Sequence, residues 1–233
     1  MPKKIPLHIA IIMDGNATWA KKNKLPKIKG YEKGIERLKE TVSESLKSGI
    51  KILTVYAFST ENWKRPSYEI NNLFKLMERF LDKESNFFIK QGIKINIIGT
   101  LDRFPEKLKE KIINLVRTTE GFDKLVLNIA LGYGGRAEIV RAAKNIARDV
   151  EAQKLNLNNL NENIFSGYLY TAGLRDPDLL IRTSGKLRLS NFLLWQISYT
   201  ELYFASKTWP DFSKKDFAKA ITEYKKRDRK FGQ

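Results

Sequence analysis

Residues 178–212 read DLLIRTSGKLRLSNFLLWQISYTELYFASKTWPDF and contain two apolar runs of strand length, at residues 179–181 and 201–204. Several of the apolar runs in this chain are nearly continuous in isoleucine, leucine and valine, which is typical of strands that are buried on both faces. The pattern predicts six strands, and the four that precede this stretch are residues 7–13, 52–58, 93–98 and 125–131.

Segments with the apolar spacing of helices lie between these runs. Residues 34–47 carry one apolar stripe and are followed by Gly49, a residue type that commonly ends helices. Residues 67–91 show the same spacing, and helices are also predicted at residues 136–150 and 214–230. This alternation is typical of an α/β fold with a mostly parallel sheet flanked by helices. Because no linker or repeat interrupts it, residues 1–233 are predicted to form a single domain.

The composition excludes several kinds of chemistry. The chain has 233 residues and no cysteine, which excludes disulfides and thiolate chemistry. Its single histidine, His8, argues against a histidine-based zinc site and against a Ser-His-Asp relay. No apolar run approaches the ~18–20 residues of a membrane span, and the first residues lack the apolar region of a signal peptide. We therefore expect a cytoplasmic protein.

The net charge of +17 favours anionic partners, which include nucleic acid, acidic lipid headgroups and phosphorylated small molecules. The lysines are spread over the whole chain without a zinc-finger or RNA-recognition pattern, which argues against nucleic acid. A basic composition without a specific partner is the simplest alternative. A further possible use of the charge is contact of the basic surface with an anionic membrane.

Two arginines and a hydroxyl surround a tight turn after the run at residues 179–181. Arg182 precedes the small Thr183-Ser184-Gly185 sequence, and Arg188 and Ser190 follow it. Bidentate guanidinium donors beside a small-residue loop are suited to binding a diphosphate. A solvated basic turn is the alternative explanation in a protein with this charge.

Polar loops follow four of the predicted strands, and in open α/β sheets ligands bind at the carboxyl ends of the strands. In the first loop, Asp14 is a candidate Mg²⁺ ligand, although Asp-Gly-Asn is also ordinary turn chemistry. Glu201 is either a second metal ligand or a surface glutamate. The glycines at 132–136 lack the spacing of a nucleotide site and indicate a turn that opens a helix.

These loops also carry long motifs in a characteristic order. They are HIAIIMDGN at residues 8–16, TVYAFSTENWKRP at 54–66, NIALGYGGR at 128–136, IRTSGKLRLSNFLLWQISYTELYF at 181–204, TWPDF at 208–212 and RDRKFG at 227–232. With them the chain resembles the cis-prenyltransferases, and most closely the bacterial undecaprenyl diphosphate synthases. The motifs cover the chain nearly end to end.

The resemblance implies a Mg²⁺-dependent condensation of isopentenyl diphosphate with an allylic diphosphate. It implies that Asp14 serves metal binding and diphosphate departure, with Glu201 as the other metal-linked acid. Asn62 would handle a proton with Ser59. The residues implied to hold isopentenyl diphosphate are Arg182, Arg188 and Ser190. Those implied to shape the allylic pocket are Gly15, Asn16, Trp19, Trp63 and Arg65. The further residues implied to bind substrate are Ser59, Thr60, Glu61 and Leu189.

The resemblance further implies a homodimer and an apolar tunnel, which we expect between the helix at residues 67–91 and the sheet. A medium-length product such as undecaprenyl diphosphate and a starter such as farnesyl diphosphate are the default expectations. The alternatives are a catalytically weak partner subunit of a prenyltransferase and, further removed, a basic nucleic-acid-binding protein. Retention of Asp14, Asn62 and Glu201 argues against the partner subunit.

The chain departs from the family pattern mainly in the allylic half of the site. Ala17 and Thr18 stand where the family usually has Gly-Arg, Lys27 replaces an arginine and Tyr31 a histidine, while Lys186 replaces a glutamate in the other half. Losing a charge-assisted hydrogen bond costs about 1.5–3 kcal/mol. We expect backbone strain of about 1 kcal/mol at Ala17 if φ is positive there. The lysines that could replace the missing cation are Lys21, Lys22, Lys24 and Lys27.

Overall fold

The computed structural model describes residues 5–227, which form one α/β unit with six strands in a single sheet. The strands are β1 (His8–Ile12), β2 (Ile52–Ser59), β3 (Ile93–Gly99), β4 (Leu125–Tyr133), β5 (Leu179–Arg182) and β6 (Glu201–Phe204). They lie in the order β3-β4-β2-β1-β5-β6, and every pair is parallel. The predicted fold class is confirmed, and each predicted strand is present to within two residues.

The helices cover both faces of the sheet. They are α1 (Asn16–Lys22), α2 (Lys27–Lys47), α3 (Ser67–Gln91), α4 (Glu106–Thr118), α5 (Gly135–Glu151), α6 (Glu162–Ser166) and α7 (Lys214–Lys226), with short 3-10 helices at Thr60–Lys64, Leu157–Asn159 and Trp209–Asp211. The prediction for residues 214–230 was too long, because Arg227 leaves the helical conformation. Residues 228–230 of that helix, and residues 228–232 of the RDRKFG motif, lie outside the described residues.

Helix α2 begins seven residues earlier than its apolar stripe indicated. The buried face of its first turns contains Gly30 and Gly34 rather than large apolar residues. A Cβ on Gly30 would lie 2.0 Å from the backbone oxygen of Asn16, so α1 packs against α2 where a side chain would not fit. Hydrophobic periodicity therefore could not reveal this end of the helix.

An apolar cavity of ≈ 310 Å³ lies between α2, α3, α4 and one face of the sheet. Its deep part is lined by aliphatic and aromatic side chains, among them Leu73, Leu76, Met77, Phe80, Phe88, Ile95, Ile112 and Ile129. Its mouth is lined by the loop after β1, with Asp14, Gly15 and Asn16. The cavity lies where the apolar tunnel was predicted. None of the helices within residues 5–227 is both long and apolar enough to cross a membrane.

A chain of hydrogen-bonded polar side chains, buried except for the half-buried Asn96, crosses four strands on the opposite face of the sheet. His8 Nδ1 lies 2.7 Å from the backbone oxygen of Arg175, and His8 Nε2 lies 2.7 Å from Thr54 Oγ1. Asn128 Nδ2 donates to Thr54 Oγ1 at 2.9 Å, and Asn96 Nδ2 donates to Asn128 Oδ1 at 2.9 Å. These partners suit a neutral imidazole that donates from Nδ1 and accepts at Nε2.

Burial lowers the pKa of His8 from 6.5 to about 4. Since the unfolded chain binds the proton more readily, the stabilisation is present above pH 6.5 and is lost as the pH falls towards 4. We expect the free energy of unfolding to decrease by roughly 2 kcal/mol between pH 7 and pH 5. Urea unfolding of the wild type and of His8→Gln at both pH values tests this. An equal decrease in both proteins would assign the effect to other groups.

Candidate active site

The loop after β1 places a carboxylate at the mouth of the cavity. Asp14 follows the strand by two residues, and its backbone oxygen accepts from Thr183 Oγ1 at 2.7 Å and from the Trp209 backbone N–H at 2.9 Å. The next residue, Gly15, has a φ of +104°, and a Cβ there would lie 2.9 Å from Thr208 Cβ. Glycine is therefore required at this turn, and the turn fixes the direction of the Asp14 side chain.

Arg182 is the centre of the polar cluster. Its side chain is 3% exposed, and Nη2 lies 2.7 Å from Asp14 Oδ2. Nη1 donates to Ser190 Oγ at 2.7 Å and also to the backbone oxygen of Arg188. The interpretation as a solvated turn fits Arg188 and Lys186, which are exposed, but not Arg182. The predicted diphosphate cluster and the first-loop carboxylate thus meet although they are far apart in sequence.

The loop after β2 reaches the same mouth. Asn62 lines the cavity, and its Oδ1 accepts from the Ser59 backbone N–H at 3.0 Å. Arg65 also lines the cavity, and its Nη1 donates to the hydroxyl of Tyr31 at 2.9 Å. Tyr31, which stands where the family pattern has a histidine, therefore contacts Arg65 of this loop.

The structure separates the predicted substrate residues into groups. Asp14, Gly15, Asn16, Asn62 and Arg65 line the cavity. The predicted residues that lie outside the cavity lining are Arg182, Arg188 and Ser190 of the arginine cluster, together with Trp19, Ser59, Thr60, Glu61, Trp63 and Leu189. Of these, Trp63 packs in an aromatic cluster with Phe58, Phe74 and Phe104, and Trp19 Nε1 donates to Asp211.

The four lysines considered as replacement cations do not line the cavity within the described part of the chain. Lys27 instead forms an ion pair with Glu69 at 2.7 Å, and this hydrogen bond raises the pKa of Lys27. Ala17 lies in α1 and is absent from the residues with positive φ, so the conditional expectation of strain does not apply. Among the arginines and lysines of the described residues, Arg65 lines the cavity.

Glu201 does not lie beside Asp14 within one chain. It begins β6 and is in register with Leu179, whereas Ile12 is in register with Arg182 at the other end of β5. Leu179 and Arg182 are three strand residues apart, so roughly 10 Å along the strand direction separates Glu201 from the end of β1 that leads to Asp14. Glu201 Oε2 accepts from Arg227 Nη1 at 2.7 Å. Its role as a metal ligand stays a prediction.

Asp14 could serve as the protein ligand of a magnesium site in which substrate oxygens supply further ligands. Within residues 5–227, no group of three or more His, Cys, Asp or Glu residues could hold a metal ion by itself. Mg²⁺ is commonly held by one or two carboxylates together with substrate phosphates and water. The Asp14 side chain is 34% exposed at the cavity mouth, which leaves its carboxylate accessible to such an ion.

Sequence reasoning missed a buried carboxylate that supports the loop after β4. Glu138 is 1% exposed and accepts hydrogen bonds from the Tyr133 hydroxyl, the Tyr170 backbone N–H and Gln196 Nε2. Burial, followed by the charge of Glu138, raises the pKa of Tyr133. The sequence reasoning also assigned Ser190 but not its neighbour Asn191, which forms hydrogen bonds to the 3-10 helix after β2 and to the start of α5.

Comparison with known proteins defines the class. The family model named Prenyltransf, which describes undecaprenyl diphosphate synthases, matches residues 12–232. The isoprenyl transferase of Clostridium perfringens is 50% identical over 229 residues, which are 98% of this chain and 90% of that protein. The isoprenyl transferase of Thermotoga maritima is 49% identical, over 98% of this chain and 97% of that protein.

Solved structures agree with this class. Lavandulyl diphosphate synthase from Lavandula x intermedia, in complex with dimethylallyl diphosphate, superposes with a TM-score of 0.95 at 36% identity, covering 98% of this chain and 99% of that chain. A probable undecaprenyl diphosphate synthase from Campylobacter jejuni superposes with a TM-score of 0.81 at 37% identity, covering 99% and 100%. Fold and relatives thus define an enzyme that transfers prenyl groups. The chain belongs to the undecaprenyl diphosphate synthase family of cis-prenyltransferases, as the sequence motifs predicted.

Proposed function

We propose that this protein condenses isopentenyl diphosphate with an allylic diphosphate such as farnesyl diphosphate. Repeated cis-condensation would give undecaprenyl diphosphate, the precursor of a lipid carrier for cell-wall synthesis. The observation that supports the proposal best is the Asp14–Arg182 pair, in which a 2.7 Å contact joins the mouth of the apolar cavity to the arginine cluster.

The allylic substrate would bind with its hydrocarbon tail in the cavity, where apolar burial stabilises it. Its diphosphate would then lie at the mouth beside Arg65 and Asp14. The hydroxyl of Tyr31 orients Arg65 there through their 2.9 Å hydrogen bond. Isopentenyl diphosphate would bind on the other side of Asp14, where Arg182, Arg188 and Ser190 supply donors.

In the reaction, the carbon–oxygen bond between the allylic C1 and its diphosphate breaks, and the electron pair leaves with the diphosphate. The double bond of isopentenyl diphosphate supplies the electrons for the new carbon–carbon bond to C1. Transfer of a proton from C2 of the isopentenyl unit to the departed diphosphate would then restore a double bond, in the cis configuration. Asn62 lines the cavity, which supports a role for its side chain near the reacting carbons.

Asp14 would hold Mg²⁺ together with diphosphate oxygens. When bound, the ion would neutralise negative charge that develops on the departing diphosphate. The contribution of the chain is to orient the Asp14 carboxylate, through Arg182 Nη2 and the two bonds to the Asp14 backbone oxygen. The apolar cavity excludes water from the reacting carbons.

The test is incubation of the purified protein with labelled isopentenyl diphosphate, Mg²⁺ and, in parallel, geranyl, farnesyl or geranylgeranyl diphosphate. A polyprenyl ladder that EDTA abolishes supports the proposal and identifies the starter and the product length. No product from any starter, with isopentenyl diphosphate still bound, would contradict it and favour a partner subunit that requires a second protein.

We propose a homodimer in the cytoplasm as the working form. Exposed apolar residues on α5 and on the following 3-10 helix, Val140 and Leu157, support an interface on that side. Light scattering should give twice the chain mass of 27.0 kDa, and a mass of one chain at micromolar concentration would contradict the dimer.

We also propose contact with anionic membrane through the rim near the mouth. Lys21, Lys22 and Lys24 are exposed and form no ion pair within the described ranges, and Leu25, the next residue in the chain, is 43% exposed. Each lysine near an anionic surface contributes about 1 kcal/mol.

We expect the protein to bind phosphatidylglycerol vesicles and this binding to weaken with salt. The triple change of Lys21, Lys22 and Lys24 to glutamine should reduce the binding at least tenfold. The matched control is the triple change of Lys214, Lys215 and Lys219 to glutamine. Equal binding of the wild type to neutral and anionic vesicles would contradict the proposal.

A further inference from the structure

Asn191 forms hydrogen bonds to two segments of the site outside its own loop. Its Nδ2 donates to Glu61 Oε1 at 2.8 Å, in the 3-10 helix after β2. Its Oδ1 accepts from the Arg136 backbone N–H at 2.8 Å, and its backbone oxygen accepts from the Gly135 N–H at 2.7 Å. The side chain therefore joins the loop of Ser190 to the loop of Asn62 and to the start of α5.

The local backbone is shaped for these contacts. Asn191 has a φ of 64°, a left-handed conformation that asparagine and aspartate tolerate better than most residues. A Cβ on Gly134 would lie 2.7 Å from Asn191 Nδ2 and 2.5 Å from Thr60 Oγ1. Gly134 thus leaves room for the amide of Asn191. The first two backbone N–H groups of α5 donate to oxygens of Asn191.

The contacts continue into the arginine cluster. Arg182 holds Ser190 Oγ and Asp14 Oδ2, and Ser190 directly precedes Asn191. On the other side, Glu61 directly precedes Asn62, which lines the cavity. A continuous series of bonds thus runs from Asp14 through Arg182, the loop of residues 188–191 and Glu61 to the loop of Asn62.

We propose that Asn191 is a positioning residue that sets the loop holding isopentenyl diphosphate against the loop of Asn62. This inference rests on the proposed function, because it assigns the two loops to the two substrates. Condensation requires the two reacting carbons within about 3–3.5 Å of each other, and a misplacement of 1 Å can cost about 10²-fold in rate. The donor from Asn191 to Glu61 is the contact that keeps the loops at this spacing.

The test exchanges donor and acceptor across this contact. Asn191→Asp keeps the size, the tolerated backbone and the acceptor for Arg136, but it places a carboxylate against Glu61. We expect kcat to fall about 10- to 100-fold and KM for isopentenyl diphosphate to rise. In the double variant with Glu61→Gln, the introduced glutamine amide donates to the introduced carboxylate and should restore kcat to within about fivefold of the Glu61→Gln single variant.

Equal effects of Asn191→Asp in both backgrounds would overturn the proposal, as would unchanged kinetics. If Asn191→Asp does not fold, Asn191→Gly replaces it, because glycine accepts the φ and keeps the backbone bond to Gly135. That variant should show the same loss of kcat with a thermal midpoint near that of the wild type.

Hydrogen exchange of residues 59–65 separates this inference from the proposed function, since it needs no turnover. Protection there should decrease in Asn191→Asp and return in the double variant, whether or not the wild type forms product. Protection that is unchanged in Asn191→Asp would overturn the positioning role on its own.

Discussion

Replacing Asp14 by asparagine is expected to lower kcat by about 10²–10³-fold, with smaller changes in KM for either substrate. The amide keeps the size of the side chain and one oxygen near Arg182, but it removes the negative charge that the proposed Mg²⁺ site would require. It also leaves the guanidinium of Arg182, which is 3% exposed, without its anionic partner. The loss should therefore come from the chemical step and from metal affinity.

Steady-state kinetics over a range of Mg²⁺ concentrations, with both diphosphates saturating, measures this effect. The matched control is Asp82→Asn, since Asp82 is an exposed aspartate that pairs with Lys111 on α4. That variant should remain within about twofold of the wild type, because exposed ion pairs contribute little. Turnover by Asp14→Asn equal to that of the wild type would disprove the assignment of the active site.

Arg182→Lys is expected to raise KM for isopentenyl diphosphate by about 10- to 100-fold and to lower kcat as well. Arg182 contacts Asp14 with one terminal nitrogen and Ser190 with the other. Lysine keeps the charge but has a single nitrogen without the planar fork, so it cannot hold both partners in this geometry. Hydrogen bonds to charged groups contribute about 1.5–3 kcal/mol, and we expect a loss of stability below that range because the Asp14 side chain is 34% exposed.

Calorimetric binding of isopentenyl diphosphate and of an allylic diphosphate would separate the two half-sites, since the allylic affinity should change less. Arg175→Lys is the control, because Arg175 also pairs with an aspartate, Asp178, but is 46% exposed. A larger effect of Arg182→Lys on the allylic substrate than on isopentenyl diphosphate would contradict the assignment of the arginine cluster.

Strands β1 and β5 could be read from the sequence because they are short, apolar and buried on both faces. His8–Ile12 and Leu179–Arg182 are fully buried, and continuous apolar runs mark such strands. Helix α4 also carries a readable pattern, with Leu108, Ile112 and Leu115 on its buried face, and sequence reasoning overlooked it. The start of α2 carried no pattern, because glycines form its buried face.

The candidate residues of the site could be predicted as a set, but not their arrangement. Loops that follow parallel strands meet at one edge of the sheet, so Asp14, Asn62 and Arg182 were expected to converge. Nothing in the sequence indicated that Lys27 would pair with Glu69 or that Tyr31 would hold Arg65. Such pairs depend on which helices pack side by side, and long side chains choose among several partners within reach.

Composition, apolar patterning and motif residues thus determined the fold class, the family and the residue types that reach the edge of the sheet. Tertiary structure alone decided that Arg182 bridges Asp14 and Ser190, that Glu201 is in register with Leu179 and therefore lies away from Asp14, and that Asn191 joins the two loops. Local sequence encodes backbone conformation and burial because these act over a few residues. Hydrogen-bond partners distant in the sequence are selected only when strands and helices pack, since geometry within a few tenths of an ångström decides which bonds form.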